Sequence, residues 1–96
     1  MKFKSYNPEA ALRIYYTYPE IGNEQLKELF GENTSSSTLT KYKTAVKEAQ
    51  AKEGVVTNYV HKVNTKVAFR TFGIDVDEVE KRLTKLNSLR MKGIIS

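Results

Sequence analysis

The chain has 96 residues and a net charge of +5, with 16 Lys and Arg against 11 Asp and Glu. It has no cysteine and one histidine, which excludes disulfides, thiolate catalysis and metal sites built from cysteine or several histidines. Length and a 40% apolar content predict one domain, residues 1–96, with a modest core. The sequence contains no Gly-rich phosphate loop and no identifiable nucleophile–base pair, so we expect no enzyme, no cofactor and no metal.

The sequence also predicts where the protein resides. No apolar run approaches the 18 residues that span a membrane. The first residues, MKFKSYNPEAAL, are partly basic but lack the apolar segment of a signal peptide. We therefore expect a cytoplasmic, intracellular protein with no membrane partner.

The positive charge is concentrated in the middle of the chain. Residues 41–70 carry seven basic and two acidic side chains, whereas residues 1–40 sum to −1 and residues 71–96 to +1. A basic segment of this kind indicates a polyanionic partner, most often nucleic acid. The alternative interpretation is a solvated, lysine-rich surface.

Two helices are predicted in the first third of the chain. Asn7 and Pro8 are typical of a helix start, and the pattern continues over residues 8–18 until Pro19. A short second helix begins at Asn23, places Leu26, Leu29 and Phe30 on one face, and ends at Gly31.

A polar run, residues 32–38, leads into a third helix, which we expect over residues 37–52 before Gly54. Its apolar face is formed by Leu39, Tyr42, Val46 and Ala49. Residues 55–60 are β-branched and aromatic, and without a convincing partner strand they are interpreted as an extended connector. Helices over 65–72 and 76–91 complete an all-α architecture, with Asn64 and Asp75 as their N-caps.

Residues 21–31, IGNEQLKELFG, give a short helix of pattern L-x-x-L-F-G that ends in a glycine turn. Residues 38–43, TLTKYK, then begin a second helix with Leu39 and Tyr42 facing inward. Together with the helix that precedes them, these segments resemble the helix-turn-helix family of DNA-binding domains. The resemblance implies a tri-helical core, about residues 7–53, with a helical extension over about 64–92. It also implies that the third helix is a recognition helix for double-stranded DNA.

The outward face of that helix is polar and partly basic. At 100° per residue, the side opposite Leu39 and Tyr42 presents Ser37, Thr40 and Thr44 as candidates for base-edge contacts, together with Glu48. Every surface helix has a polar outer face, so this pattern also fits an ordinary solvated helix. Candidate phosphate contacts are the helix N-terminus at Ser35, Ser36 and Ser37, with Lys41, Lys43, Lys47, Lys66 and Arg70.

The last helix carries a narrow apolar stripe formed by Val76, Val79, Leu83 and Leu86. Packing on the domain is the first interpretation and a homodimer interface is the second. Dimerisation would suit paired DNA half-sites.

The sequence thus predicts a helix-turn-helix DNA-binding protein. A transcriptional regulator or a DNA-recognition or packaging protein of a phage or mobile element fits this size and charge. A protein-interaction module that uses the C-terminal amphipathic helix is the alternative. A winged-helix variant stays open, with residues 55–62 as part of a wing.

Overall fold

The computed structural model describes residues 2–93 of the chain. These residues are mainly helical, in agreement with the expected all-α class, and they also contain a sheet of two short strands. In chain order the elements are α1 (Pro8–Thr17), β1 (Glu20–Ile21), α2 (Asn23–Phe30), α3 (Ser36–Glu53), β2 (Val63–Asn64), α4 (Thr65–Phe72) and α5 (Val76–Met91).

Side-chain caps define where four of these helices begin. Asn7, Ser35, Asn64 and Asp75 each accept a hydrogen bond from the backbone N–H three residues later. A cap of this type stabilises a helix by about 1 kcal/mol. Gly54 and Gly73 end α3 and α4 in the left-handed conformation, with φ of 71° and 75°. The bounds of α4 and α5 are those predicted, whereas α3 extends one residue further at each end.

The sheet joins two segments that are far apart in the sequence. β1 and β2 run antiparallel, with Glu20 opposite Asn64 and Ile21 opposite Val63. The contact continues at Thr65, whose N–H and hydroxyl donate to the carbonyls of Pro19 and Tyr18 at 3.0 and 2.6 Å. Residues 55–60 contain no strand, and residues 58–60 form bends and the start of a turn.

One hydrophobic cluster includes residues from all five helices. α4 lies along α3 and contributes Val67, Ala68, Phe69 and Phe72 to that cluster. Residues 65–72 therefore contribute to the hydrophobic core. Phe72 also packs within 5.0–5.8 Å, centroid to centroid, of the rings of Phe3, Phe30 and Tyr42.

The stripe on α5 faces the core of its own chain. Val79 is only 3% exposed, and Val76 and Leu83 pack against the same cluster, where α5 lies on α1. These three side chains pack within the molecule, as the first interpretation of the stripe expected. Leu86 lies one turn further along and is half-buried. Among residues 2–93, no helix combines the length and the apolarity needed to cross a membrane.

Candidate nucleic-acid interface

The outward face of α3 gathers the residues predicted to contact base edges. Leu39, Tyr42, Val46 and Gln50 are buried on one side of this 18-residue helix. The opposite side is exposed and carries Ser36, Ser37, Thr40, Lys41, Thr44, Lys47 and Glu48. Thr40, Lys41, Thr44, Ala45 and Glu48 line a shallow depression on this side. Short hydroxyl side chains let the helix backbone approach a ligand closely, and Lys41 adds a positive charge.

The N-terminus of α3 is built from hydroxyl groups. The Ser35 hydroxyl oxygen accepts from the N–H of Thr38 at 3.2 Å and donates to the Thr38 hydroxyl at 2.9 Å. Ser37 lies within hydrogen-bond distance of the same oxygen, at 3.2 Å. Ser35 therefore acts as the helix cap, while Ser36 and Ser37 stand exposed in the first turn, where backbone N–H groups lack intrahelical acceptors.

Lys43 and Lys47 flank the outward face on the side of the sheet. Lys43 is half-buried and lines a depression with Gly22, Asn23, His61 and Lys62. Burial, followed by repulsion from Lys47, lowers the pKa of Lys43. Lys47 is exposed and donates from Nζ to the carbonyl oxygen of Val60 at 3.1 Å. Both lysines thus lie next to the segment that connects α3 to β2.

That connecting segment, residues 54–62, is called here the α3–β2 loop. The carboxylate of Glu20 accepts from the backbone N–H groups of Asn58 and Tyr59, at 2.8 and 3.3 Å. A turn closes the loop, because the N–H of Lys62 donates to the carbonyl of Tyr59 at 3.2 Å. The Lys62 ammonium lies 4.9 Å from the centroid of the Tyr59 ring. The loop is therefore held at several points against β1 and α3.

Gln50 fixes the end of the α3–β2 loop to α3. Its side-chain oxygen accepts from the N–H of Asn64 at 2.6 Å, and the residue is only 6% exposed. Gln50 and Glu20 were not predicted to hold the α3–β2 loop in place. The signal for Gln50 was its position, four residues after Val46 on the inward face of a helix.

Lys66 and Arg70 lie apart from the residues predicted to read bases. Arg70 pairs with Glu53 at 2.7 Å, at the last residue of α3. Because a helix rises about 1.5 Å per residue, roughly 14 Å along α3 separate Glu53 from Thr44, and roughly 24 Å separate it from Ser37. Lys66 and Arg70 instead line a depression with Tyr15 and Tyr16. The assignment of Lys66 and Arg70 as phosphate contacts stays a prediction.

Comparison with protein-family models, with curated proteins and with solved structures found no match to this chain. Within residues 2–93, no group of three or more His, Cys, Asp or Glu side chains could hold a metal ion. The chemistry of the candidate interface therefore consists of hydroxyl groups, ammonium groups and exposed backbone on and beside α3.

Proposed function

We propose that the protein binds double-stranded DNA, with α3 as the helix that enters the major groove. The observation that carries the proposal is the exposed face of α3, where Ser37, Thr40 and Thr44 are flanked by Lys41 and Lys47. The major groove is about 12 Å wide and admits one helix. Small side chains on the inserted face allow close approach, and the flanking ammonium groups can contact phosphates.

The arrangement of α1, α2 and α3 supports the interpretation of this tri-helical unit as a helix-turn-helix domain. A five-residue connection, 31–35, separates α2 from α3. The rings of Phe30 and Tyr42 join the two helices, with centroids 5.0 Å apart. Pairing of β1 with β2, on either side of α2 and α3, favours the winged-helix variant. In that variant the α3–β2 loop takes the place of the wing.

Phosphate contacts in this proposal come from two sides of the inserted helix. The ammonium group of Lys41 and the first-turn N–H groups at Ser36 and Ser37 contact phosphates of one DNA strand. The ammonium groups of Lys43, Lys47 and Lys62 contact phosphates of the other DNA strand, from the side of the α3–β2 loop. Several such contacts would make the affinity strongly dependent on salt concentration.

Sequence readout in this proposal rests on hydroxyl groups. Thr40 and Thr44 lie on the exposed face, and Glu48 on the same face can accept from a cytosine amino group. α3 contains no arginine, so the bidentate guanine contact that arginine makes is absent from this helix. We therefore expect modest sequence preference, with a contribution from DNA shape.

The size and charge of the domain suit several biological settings. A small basic domain of this kind suits a transcriptional regulator or a DNA-packaging or recognition protein of a phage or mobile element, acting in the cytoplasm. A homodimer would bind paired half-sites. Because Val76, Val79 and Leu83 pack inside the chain, such a dimer would have to use other residues, for example Leu86.

The competing function is that of a protein-interaction module that uses α5. The exposed apolar surface of α5 is smaller than the sequence suggested. Most of the α5 stripe is covered by α1 and the core. What is left is the C-terminal half of the helix, where Leu86 and Leu89 are half-buried and Met91 is 89% exposed. This alternative predicts that Leu86→Asp abolishes a partner contact and that DNA binding does not occur.

The proposed function is tested by fluorescence anisotropy with a labelled random-sequence duplex at about 50 and 200 mM salt. Several phosphate contacts predict a loss of affinity of tenfold or more between the two conditions. Absence of binding at the lower salt concentration would contradict the proposal and favour the interaction module.

A further inference from the structure

The α3–β2 loop presents large apolar side chains to solvent at its tip. Val60 is 79% exposed and the neighbouring Tyr59 is 61% exposed. Val60 and His61 are the two central residues of the turn closed by Tyr59 and Lys62. Single apolar residues on a surface are unremarkable. An adjacent valine and tyrosine at the tip of one loop form a small apolar projection.

The projection is held in place rather than left free. The carboxylate of Glu20 binds the two N–H groups that precede the tip, and Lys47 binds the carbonyl of Val60 itself. Gln50 fixes β2, which follows the loop. Side chains at the tip can therefore be inserted into a partner without ordering the backbone first, which removes part of the entropic cost of binding.

The projection has lysine ammonium groups beside it and the carboxylate of Glu20 behind it. No acidic residue occurs between Gly54 and Ile74 in the sequence. Lys62 lies against the Tyr59 ring and Lys47 contacts the tip from α3. An apolar tip bordered by ammonium groups is complementary to the base edges and flanking phosphates of a nucleic acid groove. Glu20, which lies behind the tip, uses its carboxylate on the loop backbone.

We infer that Val60 enters the minor groove as an apolar wedge when α3 occupies the adjacent major groove. The contact between Lys47 and Val60 places the tip beside the exposed face of α3, and one phosphate backbone separates neighbouring grooves. Apolar wedges in the minor groove partly unstack a base step and kink the duplex. Tyr59 supports the wedge and Lys62 meets the flanking phosphate. This inference rests on the proposed DNA binding.

Plasmid relaxation tests the inference without knowledge of a binding site. Closed circular plasmid is relaxed by topoisomerase in the presence of saturating protein, and the change in linking number is measured after deproteinisation. Unstacking at each bound site distorts the duplex, so the wild-type chain should shift the linking number in proportion to the amount bound. Anisotropy on a linear duplex measures affinity in parallel.

Three variants separate the wedge from simple binding. Val60→Ser should lose most of the linking-number shift at equal occupancy while its affinity falls less than about threefold. Val60→Ile keeps an apolar tip and should retain the shift. Met91→Ser removes an equally exposed apolar side chain, on α5, and should behave as wild type. Because Val60 is exposed, these substitutions leave the core intact, and circular dichroism checks that they do.

The outcomes distinguish this inference from the function on which it rests. Salt-dependent DNA binding with no linking-number shift would overturn the wedge and leave the proposed function standing. An equal shift in Val60→Ser and Met91→Ser would also overturn it. Absence of DNA binding by the wild-type chain would overturn both, and would favour a protein as the partner of the apolar tip.

Discussion

The ammonium group of Lys47 lies 3.1 Å from the carbonyl oxygen of Val60, thirteen residues further along the chain. This hydrogen bond joins the exposed face of α3 to the tip of the α3–β2 loop. The proposed DNA surface therefore has two parts in direct contact, a helix for the major groove and a loop beside it.

The first prediction concerns phosphate contacts. Lys41→Ala and Lys47→Ala should each weaken binding similarly on all DNA sequences and reduce the slope of log K against log salt by about one. Lys47→Ala should also reduce the linking-number shift, because the loop loses its contact with α3. Lys85→Ala removes the same charge from an exposed position on α5 and is the control. A salt slope that is equal in all three variants would contradict the assignment.

The second prediction concerns sequence readout. Thr44→Ala and Thr40→Ala should change which sequences are enriched from a random duplex pool while leaving the salt slope unchanged, because the hydroxyl groups carry no charge. Thr84→Ala, at an exposed position on α5, should select the same sequences as wild type. Identical enrichment by Thr44→Ala and wild type would remove Thr44 from the proposed base contacts.

The third prediction follows from the position of Arg70. Its guanidinium pairs with Glu53 at the far end of α3, so Arg70→Ala should lower DNA affinity much less than Lys41→Ala. The stability of the fold should also change little, since exposed ion pairs contribute about 0–1 kcal/mol. A loss of affinity as large as that of Lys41→Ala, in the same anisotropy titration, would show that Arg70 belongs to the DNA-binding surface.

The fourth prediction concerns the anchor of the sheet. Gln50→Met keeps the shape of the side chain but removes the acceptor for the Asn64 N–H. Leaving that group without a partner should lower the free energy of unfolding by about 1–3 kcal/mol. Urea denaturation measures the change, and Lys52→Met, an exposed site on α3, serves as control. Equal midpoints for the two variants would show that the hydrogen bond does not stabilise the fold.

The fifth prediction concerns the contact between α1 and α5. The Tyr16 hydroxyl donates to Glu80, and this hydrogen bond raises the pKa of Tyr16 to about 12. Because the pKa is raised in the folded state, the stabilisation is complete below about pH 10 and is lost as pH rises toward 12. Titration of the tyrosine ring carbons by NMR should show that the pKa of Tyr16 is about 12. Glu80→Gln should lower its pKa, and an unchanged pKa would exclude this cause.

Helix ends that are fixed by residues close in the sequence were predicted accurately, whereas strands that pair distant segments were not. The bounds of α4 and α5 were predicted to the residue, because Asn64, Gly73 and Asp75 act on groups within a few positions of themselves. The strands were missed because two residues are too few to show an alternating pattern.

The surface beside α3 is held in place by hydrogen bonds between residues far apart in the sequence, and no local sequence pattern predicts such contacts. Glu20 binds the N–H of Asn58 across 38 positions of sequence, and Gln50 binds that of Asn64 across 14. Helical spacing correctly placed Lys66 and Arg70 on one face of α4, as their common depression shows. The spacing gave no information on what lies beside that face, which is Glu53 of α3 together with a depression also lined by Tyr15 and Tyr16.

The central claim is that α3 and the α3–β2 loop form the DNA-binding surface. An NMR titration of the ¹⁵N-labelled chain with a short random-sequence duplex at low salt tests it most directly. The account predicts amide shift changes concentrated at Ser36, Ser37, Thr40, Thr44 and residues 58–62, with little change on the exposed side of α5. Changes centred on α5, or no changes at all, would contradict it.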